Sequence, residues 1–240
     1  MQPVLHHAWD LSPARAIALQ RELAGRVVLA GEPPRPPLLV AGCDATGSGR
    51  WSRRDERITA AVLVFRYPGW ECVDRARAEG PARMPYIPGL LSFREVPFYL
   101  EAFAALAVVP DLLLCDGQGI AHPRSFGLAA HLGVLFDLPA IGVAKSRLIG
   151  EHREPGRGRG CSTRLVHAGR LIGRVVRTQT DVRPLFVSPG HRLGIDAAAR
   201  LVVRLAPRYR QPEPTRLAHQ WVGSLRTSGE APPPGCRREA

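Results

Sequence analysis

Apolar residues fall along this chain in short runs, and nearly every run ends on a recognisable cap, turn or proline. Ser12-Pro13, followed by Ala14, Ile17 and Leu19 to Leu23, predicts a helix with serine as N-cap and proline at its first position. Pro33-Pro34-Arg35-Pro36-Pro37 then enforces an extended linker. The run Leu38-Leu39-Val40-Ala41-Gly42-Cys43 predicts a strand that ends on Asp44, with Gly47 and Gly49 after it. Ile58 to Phe65 reads as its antiparallel partner, reached through a charged loop. Beyond the turn Tyr67-Pro68-Gly69-Trp70, Glu71 to Asp74 reads as a short third strand.

Helical spacing returns at Val96, Leu100, Phe103 and Leu106, and the run 112–115 predicts the next strand. Ser125 is expected to open a helix carried by Leu128, Leu132 and Leu135, which stops before Asp137-Leu138-Pro139. Ala140 to Ala144 is a further strand, ending at Lys145. Strand, helix and strand at this spacing imply a parallel, right-handed crossover unit. Residues 151–160 form a polar loop rich in glycine and arginine. Arg164 to Val176 alternates about His167-Ala168-Gly169 as a hairpin would, Pro184 to Ser188 is extended, and Ile195 to Leu205 reads as the final helix. The expected organisation is one domain over residues 1–225 and a disordered tail over 226–240, whose Gly/Pro-rich end from about Ser228 has too little apolar surface to fold.

Charge adds a partner class. The chain has 33 Lys and Arg against 21 Asp and Glu, a net charge of +12. Such a field attracts polyanions, and arginine suits two-point contact with phosphate. A proteome that uses arginine freely would produce the same balance, so charge alone does not identify the partner. No run approaches the roughly 18 apolar residues of a membrane span. The N-terminus lacks the basic start and apolar middle of a signal peptide, so a cytoplasmic protein is expected; a monomer is expected as well. The five cysteines are odd in number and form no C-x-x-C pair, which argues against structural zinc and against a disulfide framework.

Candidate chemistry sits at strand ends. Asp44 and Asp116 each close an apolar run beside glycines, which puts two carboxylates at the carboxyl edge of a sheet, where ligands bind in open α/β folds. An aspartate that merely closes a strand into a turn is the ordinary alternative for each. Glu95 is the natural third acid. Its alternative is a capping box, because Ser92-Phe93-Arg94-Glu95 fits S-x-x-E, but Pro97 would then fall in the second turn and lose a backbone hydrogen bond. Lys145, ending a strand in the same layer, could stabilise charge on a phosphate. His122, in the loop after Asp116, could contact phosphate or move a proton. Pro85-Tyr86-Ile87-Pro88-Gly89 holds an aromatic and a branched side chain between prolines; it could wedge into a base stack or be a packed turn. Carboxylates of this kind hold Mg²⁺, a hard cation that takes few protein ligands and keeps its waters.

The order β-β-β-α-β-α-β, with acids on the first and fourth strands, is the layout of ribonuclease H-like domains. More specifically, the sequence resembles the endonuclease V family over roughly residues 10 to 222. The resemblance rests on Asp44 after an apolar strand, on the stretch from Pro85 to Glu95, and on Cys115-Asp116-Gly117-Gln118-Gly119-Ile120-Ala121-His122-Pro123-Arg124. Gly142 to Ser146 and Val187 to His191 match as well. It implies a ribonuclease H-like α/β fold, a mixed central β-sheet flanked by helices in a single domain. It also implies an endonuclease of DNA repair, dependent on Mg²⁺ with Mn²⁺ able to substitute. Such an enzyme nicks inosine-containing nucleic acid at the second phosphodiester 3′ to the lesion, leaving 3′-hydroxyl and 5′-phosphate ends.

By motif position, the resemblance makes Asp44, Glu95 and Asp116 the metal ligands and puts Lys145 near the scissile phosphate. Pro85, Tyr86, Ile87 and Pro88 would form a strand-separating wedge, and His122 would lie beside the lesion. Gly119, Gly127 and Ala144 would line a pocket for the extruded base. His219 falls where relatives carry histidine or aspartate and is a candidate fourth active-site residue. Gln179 stands where a basic residue is common. The implied partner is DNA with deaminated bases; an inosine-directed ribonuclease on single-stranded RNA and a non-catalytic binder of damaged nucleic acid are the rival readings.

Overall fold

The structure is a computed structural model and describes residues 1–47 and 56–227. The charged loop expected between the first two strands, with Gly49, lies outside the described residues, as does the expected tail beyond Thr227. The elements follow in the order α1 (Pro13–Ala24), β1 (Leu38–Gly47), β2 (Arg57–Tyr67), β3 (Glu71–Pro81), α2 (Leu91–Ala104), β4 (Leu112–Cys115), α3 (Leu128–Phe136) and β5 (Ala140–Ala144). The chain then continues through β6 (Ser162–His167), β7 (Arg170–Val176), β8 (Leu185–His191), α4 (Ile195–Leu205) and α5 (Glu213–Thr227). All eight strands form one mixed sheet in the order β3-β2-β1-β4-β5-β8-β7-β6. The central ladders β1–β4 and β4–β5 are parallel, and every other ladder is antiparallel. This is the mixed sheet with flanking helices that the sequence resemblance implies.

The uninterrupted apolar runs in β1 and β4 have a simple cause. Successive side chains alternate between sheet faces, and here both faces are covered. On one face, Ala41, Cys43, Leu113 and Cys115 pack with Tyr99 and Phe103 of α2 and Leu132 of α3. On the other, Val40, Leu112 and Leu114 pack with Leu201 and Val202 of α4. Ala61, Leu63 and Phe65 of β2 share that second face and receive Ala218, Trp221 and Val222 of α5. Asp44 and Asp116 continue the alternation of Val40 and Leu114, so both belong to the face that α4 and α5 cover. Lys145 continues that of Ile141 and Val143 and reaches the same face.

Four expectations need correction. Asp44 does not end β1, which pairs with β2 as far as Gly47↔Ile58; it ends only the ladder with β4, which stops at Cys43↔Cys115. The third strand runs to Pro81, because β2 supplies backbone partners along its whole length. Ser125 does not open α3: it sits in a turn at φ 52°, and Gly127 is the N-cap. The helix at 195–205 is not the last, since α5 follows it and closes over β1 and β2.

Cys43, Cys115 and Cys161 are free thiols, whereas Cys72 is held in a disulfide. Among the described residues, no helix is long and apolar enough to cross a membrane.

Candidate active site at the carboxyl edge of the sheet

Parallel pairing of β1 with β4 brings the two aspartates together. The Asp116 backbone N–H donates to the Cys43 carbonyl at 3.0 Å, one step beyond the last ladder pair. Helix α5 then delivers a third group. Its first turn lies on Gly42, where a Cβ would meet the Pro214 carbonyl oxygen at 2.1 Å, so only glycine admits the helix this close. From there His219 reaches back, and its Nδ1 donates to Asp44 Oδ2 at 2.7 Å. One ligand atom from each of Asp44, Asp116 and His219 lies within 4.8 Å of the others. Two hard carboxylate oxygens with an imidazole at this spacing fit a divalent cation. Lys145 Nζ lies 2.6 Å from Asp116 Oδ2, and Gln211 Nε2 donates to the same oxygen at 3.4 Å.

The local field favours neutralisation. Burial holds the Asp44 carboxyl above its ordinary range; the His219 hydrogen bond opposes this, and the Asp116 charge adds to it. His219 is raised in turn, first by its bond to Asp44. Glu95 is pushed up to about 8, by burial first and then by the charge of Asp44, while Arg94 pulls the other way. Two carboxylates and a third acid without enough cations nearby form the kind of site that a metal relieves.

Glu95 is outside the group of three, yet close enough for the charges of Asp44 and Asp116 to act on it. It comes from α2, in the layer on the opposite face, and is not among the residues within 4.8 Å. The capping-box alternative does not hold. Ser92 is inside the helix, Leu90 is the N-cap without a side-chain bond, and Pro97 lies within the helix. Ser92 Oγ is instead buried with no hydrogen-bond partner. Arg94 is buried beside it, donating to the Met84 carbonyl at 2.6 Å and ion-paired with Glu56.

A cavity of about 310 Å³ opens next to the acids, with Tyr86, Gly89, His122, Gly127, Ala144 and Lys145 in its wall. Five of these were read from the sequence. Gly119 is not in the wall: its N–H donates to Ser188 Oγ at 2.9 Å, and a Cβ there would strike the Pro189 carbonyl oxygen at 2.1 Å. It packs the loop onto β8 instead. Pro85, Tyr86 and Pro88 are exposed, whereas Ile87 turns inward against Met84, Leu90 and Phe93. The loop is therefore fastened by one side chain and presents the others.

His122 is part of that fastening. Its Nδ1 accepts from the Arg124 N–H at 3.2 Å, so its Nε2 carries the proton and donates to the Gly89 carbonyl at 3.0 Å. Arg124 and Gln20 donate to the same carbonyl, at 2.6 and 3.0 Å. Burial, aided by the charge of Arg124, pushes His122 down to about 4. Both ring nitrogens are engaged and the ring is neutral.

Three contributors escaped the sequence reading. Gln211 touches Asp116, and Arg210 donates to the Lys145 carbonyl at 2.9 Å, which fixes the end of β5. Gln118 also lies in the cavity wall; its Nε2 donates to the Ser146 carbonyl at 3.1 Å, and its Oε1 is buried without a partner. Gln118 was within a motif already singled out. Gln211 and Arg210 precede α5, whose recognition would have pointed to them.

The profile of the endonuclease V family matches residues 21–220. Endonuclease V from Azotobacter vinelandii is 51% identical over 213 residues, 88% of this chain and 93% of the relative. The crystal structure of endonuclease V from Streptomyces avermitilis, 40% identical, matches with a TM-score of 0.86 over 96% of this chain and 100% of that one. A structure of Ciona intestinalis endonuclease V in complex with a 23mer DNA containing an inosine followed by a ribo-adenosine is 25% identical. It matches with a TM-score of 0.76 over 92% of this chain and 100% of that one.

Proposed function

This chain belongs to the endonuclease V family and is an endonuclease; from that premise we propose that it nicks DNA containing inosine at the second phosphodiester 3′ to the lesion, with Mg²⁺ as its metal. The observation that carries the metal-dependent part is the meeting of Asp44, Asp116 and His219 within 4.8 Å at the sheet edge, beside a cavity. Asp44 and Asp116 would hold the cation with His219 as a further donor, and Glu95 faces them from the other layer. A bound divalent cation supplies charge neutralisation at the scissile phosphate and makes its water more acidic.

The protein's own groups supply the rest. Lys145 is held at the edge by Asp116 and places an ammonium where phosphate charge develops. His219, bonded to Asp44, is positioned to hold or pass a proton at Nδ1. Tyr86, 39% exposed between Pro85 and Pro88, stacks where a base has left the helix. The cavity behind it receives that base, and the unstacking, at a few kcal/mol, is least for a mispaired base. Gln118 Oε1 and Ser92 Oγ are unpaired polar atoms of its wall residues, and an acceptor there favours a base that carries N1–H, as hypoxanthine does and adenine does not. Gly119 supports the pocket indirectly, by seating the loop. The Ciona complex, with its ribo-adenosine after the inosine, keeps RNA as a second substrate.

The test is a single-inosine duplex, with the cut mapped to one nucleotide, in Mg²⁺, in EDTA and with Asp44→Ala. A Mg²⁺-dependent nick at the stated bond, absent in EDTA and in the variant, is expected. Cleavage of plain adenosine duplex at the same rate would overturn the proposal. Matched RNA oligonucleotides decide the second substrate.

A further inference from the structure

A second cavity, about 630 Å³, lies between α4 and the β6–β7 hairpin, away from the acids. Its charge pattern is unusual. Asp196, Arg200 and Arg204 follow one another at four-residue spacing and so share one face of α4. Across the cavity stands Arg174 of β7, which donates to Asp196 Oδ1 at 2.7 Å, and directly opposite Arg174 in the ladder is Arg164 of β6. Asp196 is drawn below the usual carboxylate range by Arg174 first, then by Arg200 and Arg164 as well, so three guanidinium groups act on one carboxylate. Glu32, at the cavity's edge, is the other acid.

Four arginines against two acids leave two positive charges in excess. Both juxtapositions cost stability in an isolated fold: like charges four apart on a helix, and like charges directly opposite on paired strands. Among the described residues, Arg164, Arg200 and Arg204 have no ion-pair or hydrogen-bond partner for their side chains, although all three are exposed. A structural role would be served better by alternating signs. An anion with several charges resolves the conflict, and fixed guanidinium forks suit phosphate.

We propose that the cavity walled by α4 and the β6–β7 hairpin binds the phosphodiester backbone of the substrate strand or its complement at a distance from the cut. The inference rests on the nucleic-acid reading of the edge site. From β4 to β7 and β6 is three to four strand spacings, about 14–19 Å. At about 3.4 Å per nucleotide along one strand, that corresponds to roughly four to six nucleotides. Only substrates that extend so far can use it.

The experiment compares Arg200→Gln/Arg204→Gln with the unaltered chain, and adds Arg164→Gln as an independent variant on the hairpin. Binding is read in EDTA, as a function of salt, on inosine duplexes with about three or about fifteen base pairs either side of the lesion. Loss of two phosphate contacts should lower the slope of log affinity against log salt by about two on the long duplex and leave it unchanged on the short one. Arg164→Gln should lower it by about one, and nicking of the short duplex should be unaffected. Equal slopes on the long duplex overturn the proposal, as does an equal loss on both lengths. Titration with inorganic pyrophosphate separates a backbone site from one for a small free anion; tight, Arg200-dependent pyrophosphate binding without length dependence would refute the backbone assignment. Because binding is read without turnover, a chain that failed to nick inosine would sink the proposed function and still report on this cavity.

Discussion

His122 is a loop histidine whose hydrogen bonds tie it to the fold. It lies in the wall of the cavity beside the acids, and its two nitrogens are committed to backbone partners. Since its pKa is about 4 in the folded chain and near 6.5 unfolded, the unfolded state binds the extra proton between those values. The stabilisation from a neutral His122 is complete above pH 6.5 and is lost as pH falls through 4. At 1.36 kcal/mol per pH unit it amounts to about 3 kcal/mol. His131 is also lowered by burial, so the comparison must be against His122→Gln. Chemical denaturation at several pH values should show the unaltered chain losing that much more stability than the variant between pH 6.5 and 4; parallel curves would show that the histidine titrates normally. Ser92→Ala probes the cavity wall in the same spirit. Removing a buried hydroxyl with no partner should leave thermal stability unchanged or slightly raised. If Ser92 contacts the base, inosine nicking falls about tenfold, as expected for the loss of a hydrogen bond of about 1.4 kcal/mol. An unchanged rate would remove Ser92 from recognition.

Among the elements, α5 carries the difference between a pair of aspartates and a three-sided site. Gly42→Ala is expected to push Pro214, and the helix with it, off β1, at a cost of about 1–3 kcal/mol. The shift should separate His219 from Asp44 and slow nicking by roughly 100-fold, the scale of an ångström's misplacement. A variant with full activity and unchanged melting temperature would show that α5 is not held there by close contact. This helix was also the main element the sequence reading missed. Ala218, Trp221, Val222 and Leu225 do recur at helical spacing and Pro214 suits a first turn, but the expected elements stop at Leu205 and give this segment none. The strands were far easier to read. Burial on both faces writes continuous apolar runs into β1, β4 and β5, and a carboxylate or lysine at the end of such a run stands out. Glu95 was legible by motif, but its place in the opposite layer, outside the group of three, was not, because local sequence does not say which face of the sheet α2 covers.

Taken whole, the molecule is a sheet with an acidic focus at one edge inside a field of +12. The excess of arginine was legible as a count and silent about location; only the fold shows that Arg174, Arg200 and Arg204 share one cavity, with Arg164 directly opposite Arg174 in the ladder. Affinity for an inosine duplex should therefore fall steeply with salt, by about 10³-fold or more between 50 and 200 mM if six or more phosphates are engaged. A flat salt profile would mean that the basic surface does not meet the backbone. The acidic focus itself is open to a more direct measurement: titration of the chain with Mn²⁺, read by the loss of the free-ion electron paramagnetic resonance signal. One site is expected in the unaltered chain, absent in Asp44→Asn and in Asp116→Asn and weakened in His219→Ala. Mn²⁺ binding of equal strength in all four proteins would contradict the assignment of the metal to the sheet edge.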